Sequence, residues 1–184
     1  FRTAPSDARQ GQVLADILKD KGITNVAVTF TNNDYGKGLE ASFTEAFTAN
    51  GGKVAISAAH EDGKADYSAE VGALAAAGAE HLAVFGYVDQ GGKGIIQTSL
   101  DTGAFEKFIL ADGMIGESLI AAIGDDLNGT IGTLPGSESA GAAKFKEVAT
   151  AGGLAKNDGP FMPESYDAAA LMILAMQAAG SADR

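Results

Sequence analysis

The chain has 184 residues, with 13 Lys and Arg against 24 Asp and Glu; the formal charge of −11 excludes a basic nucleic-acid or anionic-membrane binder as first reading. At 46% hydrophobic and 20% charged it is globular in composition, long enough for one domain with a core and part of a second. It contains no cysteine, which excludes disulfide scaffolds, thiolate metal sites and cysteine nucleophiles.

In chain order, Ser6 is placed to cap a helix over Asp7–Lys21 that Gly22 closes in the left-handed conformation. A strand over Val26–Thr31 precedes a helix over Gly38–Asn50, and a strand over Val54–Ser57 precedes a helix over Ser68–Ala77. Strand Leu82–Phe85, helix Gly91–Thr102 and strands Phe108–Ala111 and Thr130–Leu134 follow. The strands are nearly continuous apolar runs, as required of strands covered on both faces, and their alternation with helices predicts an α/β fold with an open, mostly parallel sheet. A helix comes before the first strand, so the strand that should feed it is missing, with Phe1–Thr3 as its expected stump.

After Leu134 the rhythm changes. Pro135-Gly136-Ser137 breaks the chain, Ala140–Thr150 reads as a helix, Leu154–Phe161 is irregular, and a long helix runs from Pro163 to Ala179. Residues 168–176 of that helix are apolar all round and demand burial on more than one side. That run is the longest apolar stretch and falls far short of the roughly 20 residues that span a bilayer. The start lacks both an initiator methionine and an apolar signal core, so a longer parent protein is expected.

Ligands of open parallel sheets bind at the carboxyl ends of the strands. The loops there contain Asn32-Asn33-Asp34-Tyr35-Gly36, Glu61-Asp62-Gly63, Gly86-Tyr87-Val88-Asp89-Gln90 and Asp112-Gly113-Met114. Tyrosines with carboxylates on one rim suit a small ligand with a cationic group. Capping of the following helices is the competing role of Asp34, Asp62 and Asp89. Asp112 stands apart, since no helix is predicted before about Glu117. Gly36-Lys37-Gly38-Leu39-Glu40-Ala41 matches G-x-G-x-x-A, with Glu61 where a ribose-binding acid would stand, which keeps a nucleotide-dependent enzyme as the alternative. Gly86–Lys93 lacks the lysine and Ser/Thr positions of a P-loop. His60 and His81 have no partner spacing for metal or nucleophile and are expected to face solvent or cap helices.

Phe1-Arg2-Thr3 with Gln10-Gly11, Asn33-Asp34-Tyr35-Gly36-Lys37-Gly38, Asp66-Tyr67-Ser68, Gly86-Tyr87, Ala111-Asp112-Gly113, Gly159-Pro160-Phe161 and Tyr166-Asp167-Ala168-Ala169 follow one another in an order that resembles the leucine/isoleucine/valine-binding proteins. These are type I periplasmic solute-binding proteins of ABC transporters. The resemblance implies a Rossmann-like lobe, a hinged two-lobed trap for an amino acid of branched-chain type or a related small molecule, delivery to a membrane permease, and neither catalysis nor a cofactor nor a metal. It implies that 1–134 form the second, ligand-binding lobe and 135–184 a return segment that packs on a first lobe absent here. It places Asp112 on the ligand ammonium, Tyr87 and Tyr35 along the cleft, and Phe161 against the ligand from the first-lobe side. A periplasmic or lipid-anchored extracellular location follows, with a homodimer expected through the helix face that the missing lobe would cover. A ligand-sensing receptor domain of the same fold is a further reading.

Overall fold

The computed structural model describes residues 2–136, 139–157 and 159–183. Ser6 starts the first helix as expected: its hydroxyl accepts from the Arg9 amide at 3.3 Å, and α1 runs Asp7–Asp20 to a left-handed Gly22. The strands β1 (Asn25–Thr31), β2 (Lys53–His60), β3 (His81–Phe85), β4 (Lys107–Leu110) and β5 (Ile131–Gly132) are parallel throughout and lie in the order 2-1-3-4-5. Between them run α2 (Asp34–Ala49), α3 (Ser68–Ala75), α4 (Gly92–Thr102) and α5 (Glu117–Ile123).

Side chains of successive strand residues leave the sheet on opposite faces, and each face carries its own core. Val26, Val28, Ala83, Phe85 and Ile109 pack on one face with Leu14 and Leu18 of α1 and Leu39, Phe43 and Phe47 of α2. Ala27, Leu82, Val84, Phe108 and Leu110 pack on the other with Val71 and Leu74 of α3, Ile95 and Ile96 of α4 and Leu119 of α5. This is the α/β architecture that the unbroken apolar runs predict. Gln10 of α1, 5% exposed, ties that helix to the far edge by donating to the carbonyl and hydroxyl of Thr133 at 3.1 and 3.2 Å.

Most boundaries differ from the sequence reading by a residue or two, and the larger differences are in β2, β5 and α2. β2 continues three residues past Ser57, because an edge strand is held by its ladder with β1, up to the Thr31–His60 pair, rather than by apolar content. β5 is shorter than predicted: Ile131 and Gly132 are in register with β4, and the Thr133 amide adds one bond to the Leu110 carbonyl at 3.1 Å. α2 starts at Asp34 rather than Gly38, because the Asn33 side chain accepts from the Gly36 amide at 3.0 Å and nucleates the helix earlier. Arg2 and Thr3 form no strand, and Phe1 of the expected stump lies outside the described residues, as does Ser137 of the chain break.

The chain divides into two compact units, Ser6–Leu134 and the combination of Phe1–Pro5 with Pro135–Arg184. The smaller unit contains α6 (Ala140–Ala151) and α7 (Met162–Ala179), which meet through Phe145 and Tyr166 with ring centroids 5.6 Å apart. α7 has no buried residue: Met172, Ile173 and Leu174 are about 60% exposed. Among the described residues no helix is long and apolar enough to cross a membrane.

Phe43 is fully buried, stacks on Phe47 at 5.2 Å and meets Phe85 edge-on at 5.2 Å, so it joins α2 to the sheet. Phe43→Ala is expected to lower stability by about 3–5 kcal/mol in a denaturant titration, through lost burial and the cavity left behind.

Candidate functional site

The loops after β1 and β3 diverge, since α2 covers one face and α4 the other, and the crevice between them opens beside the carboxyl end of β4. The structure brings Tyr35, Tyr87 and Asp112 together here. Tyr35, in the first turn of α2, donates its hydroxyl proton to Asp112 Oδ1 at 2.9 Å and accepts weakly from the Gly113 amide at 3.4 Å. Its ring lies 5.3 Å from that of Tyr87, tilted by 31°. All three side chains are half-buried. Asp112 opens a single 3-10 turn, Asp112–Met114, ahead of α5.

Burial, reinforced by the Asp112 carboxylate, pushes the Tyr35 phenol far above its ordinary pKa. The Tyr35 phenol thus keeps its proton at neutral pH. The arrangement presents a carboxylate with a free oxygen edge beside two aromatic faces, which can hold an ammonium group next to an apolar one.

Close backbone approach makes this geometry available. A Cβ on Gly113 would lie 2.2 Å from the Gly86 carbonyl oxygen and 3.2 Å from Tyr87 Cδ1, so the loops after β3 and β4 touch main chain to main chain. A Cβ on Gly36 would lie 2.2 Å from the Thr31 carbonyl oxygen. Phe161 belongs to the smaller unit, where it precedes α7 at φ 60°, the non-glycine positive φ among the described residues. A bulky side chain there costs backbone energy, on the order of 1–2 kcal/mol.

The expected capping roles of the other aspartates are not those observed. Asn33, not Asp34, caps α2. Asp62 accepts from the Thr31 hydroxyl at 2.8 and 2.9 Å, and the residue before α3 makes no side-chain cap. Asp89 sits in a 3-10 turn 3.5 Å from Lys93, while Gly91 precedes α4. The dinucleotide reading fails on geometry: Gly36 and Gly38 are inside α2, the Gly36 amide is occupied by Asn33, and Glu61 accepts from Asn32 at 2.7 Å.

Sequence reasoning also missed His60. It is 1% exposed rather than solvent-facing, with Nδ1 2.9 Å from Thr29 Oγ1, and it packs under Gly86. No local pattern signals this, because its partners come from β1 and the loop after β3. His81 is half-buried at the start of β3, and burial lowers its pKa. A concavity of about 730 Å³ near it, lined by Lys21, Asn25, Glu80, His81 and Lys107, lies at the amino ends of the strands, away from the rim. No group of three or more His, Cys, Asp or Glu among the described residues is arranged to hold a metal.

The chain is similar to known proteins. A family model described as periplasmic binding protein matches residues 1–184. The Leu/Ile/Val-binding protein homolog 3 of Brucella melitensis is 33% identical over 139 residues, covering 72% of this chain and 36% of that protein. The leucine-binding protein LivK of Thermotoga maritima superposes with a TM-score of 0.78 at 24% identity, covering 99% of this chain and 53% of that one. A solute-binding protein of an ABC transporter from Rhodopseudomonas palustris, in complex with p-hydroxybenzoic acid, gives a TM-score of 0.75 at 22% identity over 99% of this chain and 51% of that one. The chain spans between about a third and a half of the length of the curated relatives it matches.

A spectrophotometric titration tests the Tyr35–Asp112 pair. Tyr35 is expected to stay un-ionised as pH rises through the ordinary tyrosine value of about 10, so Tyr35→Phe removes no titrating phenol from that range. Because the folded-state pKa is raised, the stability it contributes is present below about pH 10 and is lost as pH climbs above it.

Proposed function

Because the chain belongs to the periplasmic binding protein family, we propose that its larger unit is the ligand-binding lobe of an ABC-transporter solute-binding protein that captures an amino acid of branched-chain type. The family is one of solute binding rather than catalysis, and no chemical step is assigned to any residue. The observation that carries the reading is the meeting of Asp112, Tyr35 and Tyr87 at the crevice between β1 and β3. In this reading Asp112 pairs with the ligand α-ammonium and the two tyrosine rings flank the ligand.

Residues 1–134 then form one wall of a cleft, and 135–184 return to a first lobe outside these residues. That lobe supplies the groups for the α-carboxylate, with Phe161 approaching the ligand from its side. The break after Leu134 and the coverage of about half of LivK support this division, whereas residues 1–5 group with the smaller unit. Delivery to a membrane permease and a periplasmic location belong to the same proposal. An aromatic carboxylate, as bound by the Rhodopseudomonas protein, fits the rim less well, because Asp112 would repel its charge.

Calorimetry on the protein with both lobes tests the assignment. L-leucine, L-isoleucine or L-valine is expected to bind, and Asp112→Ala to weaken binding about fivefold or more, since an ammonium left unpaired in a closed cleft costs about 1–3 kcal/mol. Unchanged affinity removes Asp112 from the site, and binding of benzoate alone overturns the amino-acid class. The exposed Leu171, Met172, Ile173 and Leu174 of α7 further support self-association of the isolated chain. Light scattering is expected to report a dimer, and a monomer at high concentration rejects it.

A further inference from the structure

Beneath the rim lies a buried polar group with half of its hydrogen bonding unmade. His60 closes β2, and its Nδ1 is 2.9 Å from Thr29 Oγ1. With the Thr29 hydroxyl proton given to the Ala58 carbonyl at 3.0 Å, the bond to His60 is made by an imidazole proton on Nδ1. The neutral ring therefore carries a bare lone pair at Nε2, and that atom is buried without a hydrogen-bond partner. It faces Gly86, where a Cβ would stand 3.1 Å from it, and Asp62 Oδ1 at 4.0 Å.

We infer that His60 is a positioning residue for the rim of Tyr35, Tyr87 and Asp112, and that a proton gained at Nε2 rearranges the rim. The inference rests on the rim's being the ligand site. In its neutral form the ring is a close-packed floor: Gly86 leads directly into Tyr87, and a Cβ on Gly91, which precedes α4, would lie 3.5 Å from His60 Cδ2. A proton at Nε2 creates a buried donor with Asp62 Oδ1 4.0 Å away, and Asp62 is already held by the Thr31 hydroxyl. To take the new bond, Asp62 shifts its hold on Thr31. The Thr31 carbonyl accepts from the Asn33 amide at 2.8 Å and abuts Gly36, in the turn that carries Tyr35. Both aromatic arms of the rim thus lean on the same imidazole.

Burial pushes the His60 pKa below its ordinary value, against the opposing pull of Asp62, Glu70 and Glu61. Glu70 is engaged by Lys64, and the Tyr67 ring stands edge-on to the imidazole at 6.3 Å. From β1 the ring meets Thr29, and from the loop after β3 it meets Gly86 and Gly91, none of which titrates. The ring is therefore neutral at pH 7 and charges in acid, below the ordinary value of about 6.5. With the folded-state pKa depressed, the folded protein holds fewer protons than the unfolded chain. Stability is accordingly lost as pH falls from about 6.5 toward the folded-state pKa.

Nitrogen NMR of the histidine rings tests the inference, since the sequence has 2 histidines and His81→Gln assigns them. The expected results are an Nδ1–H tautomer for neutral His60, and Tyr35 and Tyr87 ring signals that shift with the His60 midpoint. His60→Asn, which keeps a donor toward Thr29 and does not titrate, is expected to abolish that shift. An Nε2–H tautomer, tyrosine signals that do not move, or signals that follow His81 or persist in His60→Asn overturn it. Should His60→Asn fail to fold, coincidence or separation of the wild-type midpoints decides the matter. L-leucine titrated into the protein with both lobes across the same range is expected to lose affinity tenfold or more on crossing the His60 midpoint, and an unchanged Kd overturns the coupling. Absence of leucine binding at every pH counts instead against the proposed function, and the tyrosine signals still decide the role of His60.

Discussion

All five strands run the same way, and this single constraint organises the larger unit. A parallel strand is reached only by a crossover, and the crossovers cover both faces of the sheet, leaving its two ends as the exposed polar surfaces. α2 leaves β1 for one face and α4 follows β3 on the other, so the chain parts between neighbouring strands. The crevice is a consequence of topology before any side chain is chosen. Tyr35 and Tyr87 stand on its two sides, with Asp112 from the next strand beside them.

Close packing at that end determines what the crevice can hold. Gly113 against the Gly86 carbonyl, and Gly36 against the Thr31 carbonyl, leave no room for a β-carbon, so three separate loops share one small volume. Side chains of modest length then meet, and a tyrosine hydroxyl reaches an aspartate from an element far away in sequence. The same crowding buries His60 and leaves its Nε2 unpaired, an uncommon and costly state for a polar atom. A polar floor under an aromatic rim ties the geometry of the rim to the protonation of the floor.

The smaller unit obeys a different logic. Residues 168–176 of α7 are apolar all round and the helix has no buried residue, whereas the helices on the sheet bury one face each. A helix of that composition is built to be covered on several sides. Phe161 ahead of it adopts a left-handed conformation that a bulky side chain takes only when its surroundings demand it.

The sequence by itself determined the alternation of helices and strands, the two-faced sheet, Ser6 as a cap and the strand ends at which Tyr35, Tyr87 and Asp112 stand. Apolar periodicity, caps and glycine stops are local signals, and local signals can be read in one chain. The early start of α2 turned on one Asn33 side chain, and the length of β2 on its ladder with β1, so those boundaries were not legible from apolar content. Only the tertiary structure decided that Asp62 answers Thr31, that His60 is buried against Thr29 and Gly86, and that Tyr35 donates to Asp112. Each of these joins residues far apart in the chain, and the register and closeness of packed strands, which no local pattern encodes, bring them within hydrogen-bonding or van der Waals distance.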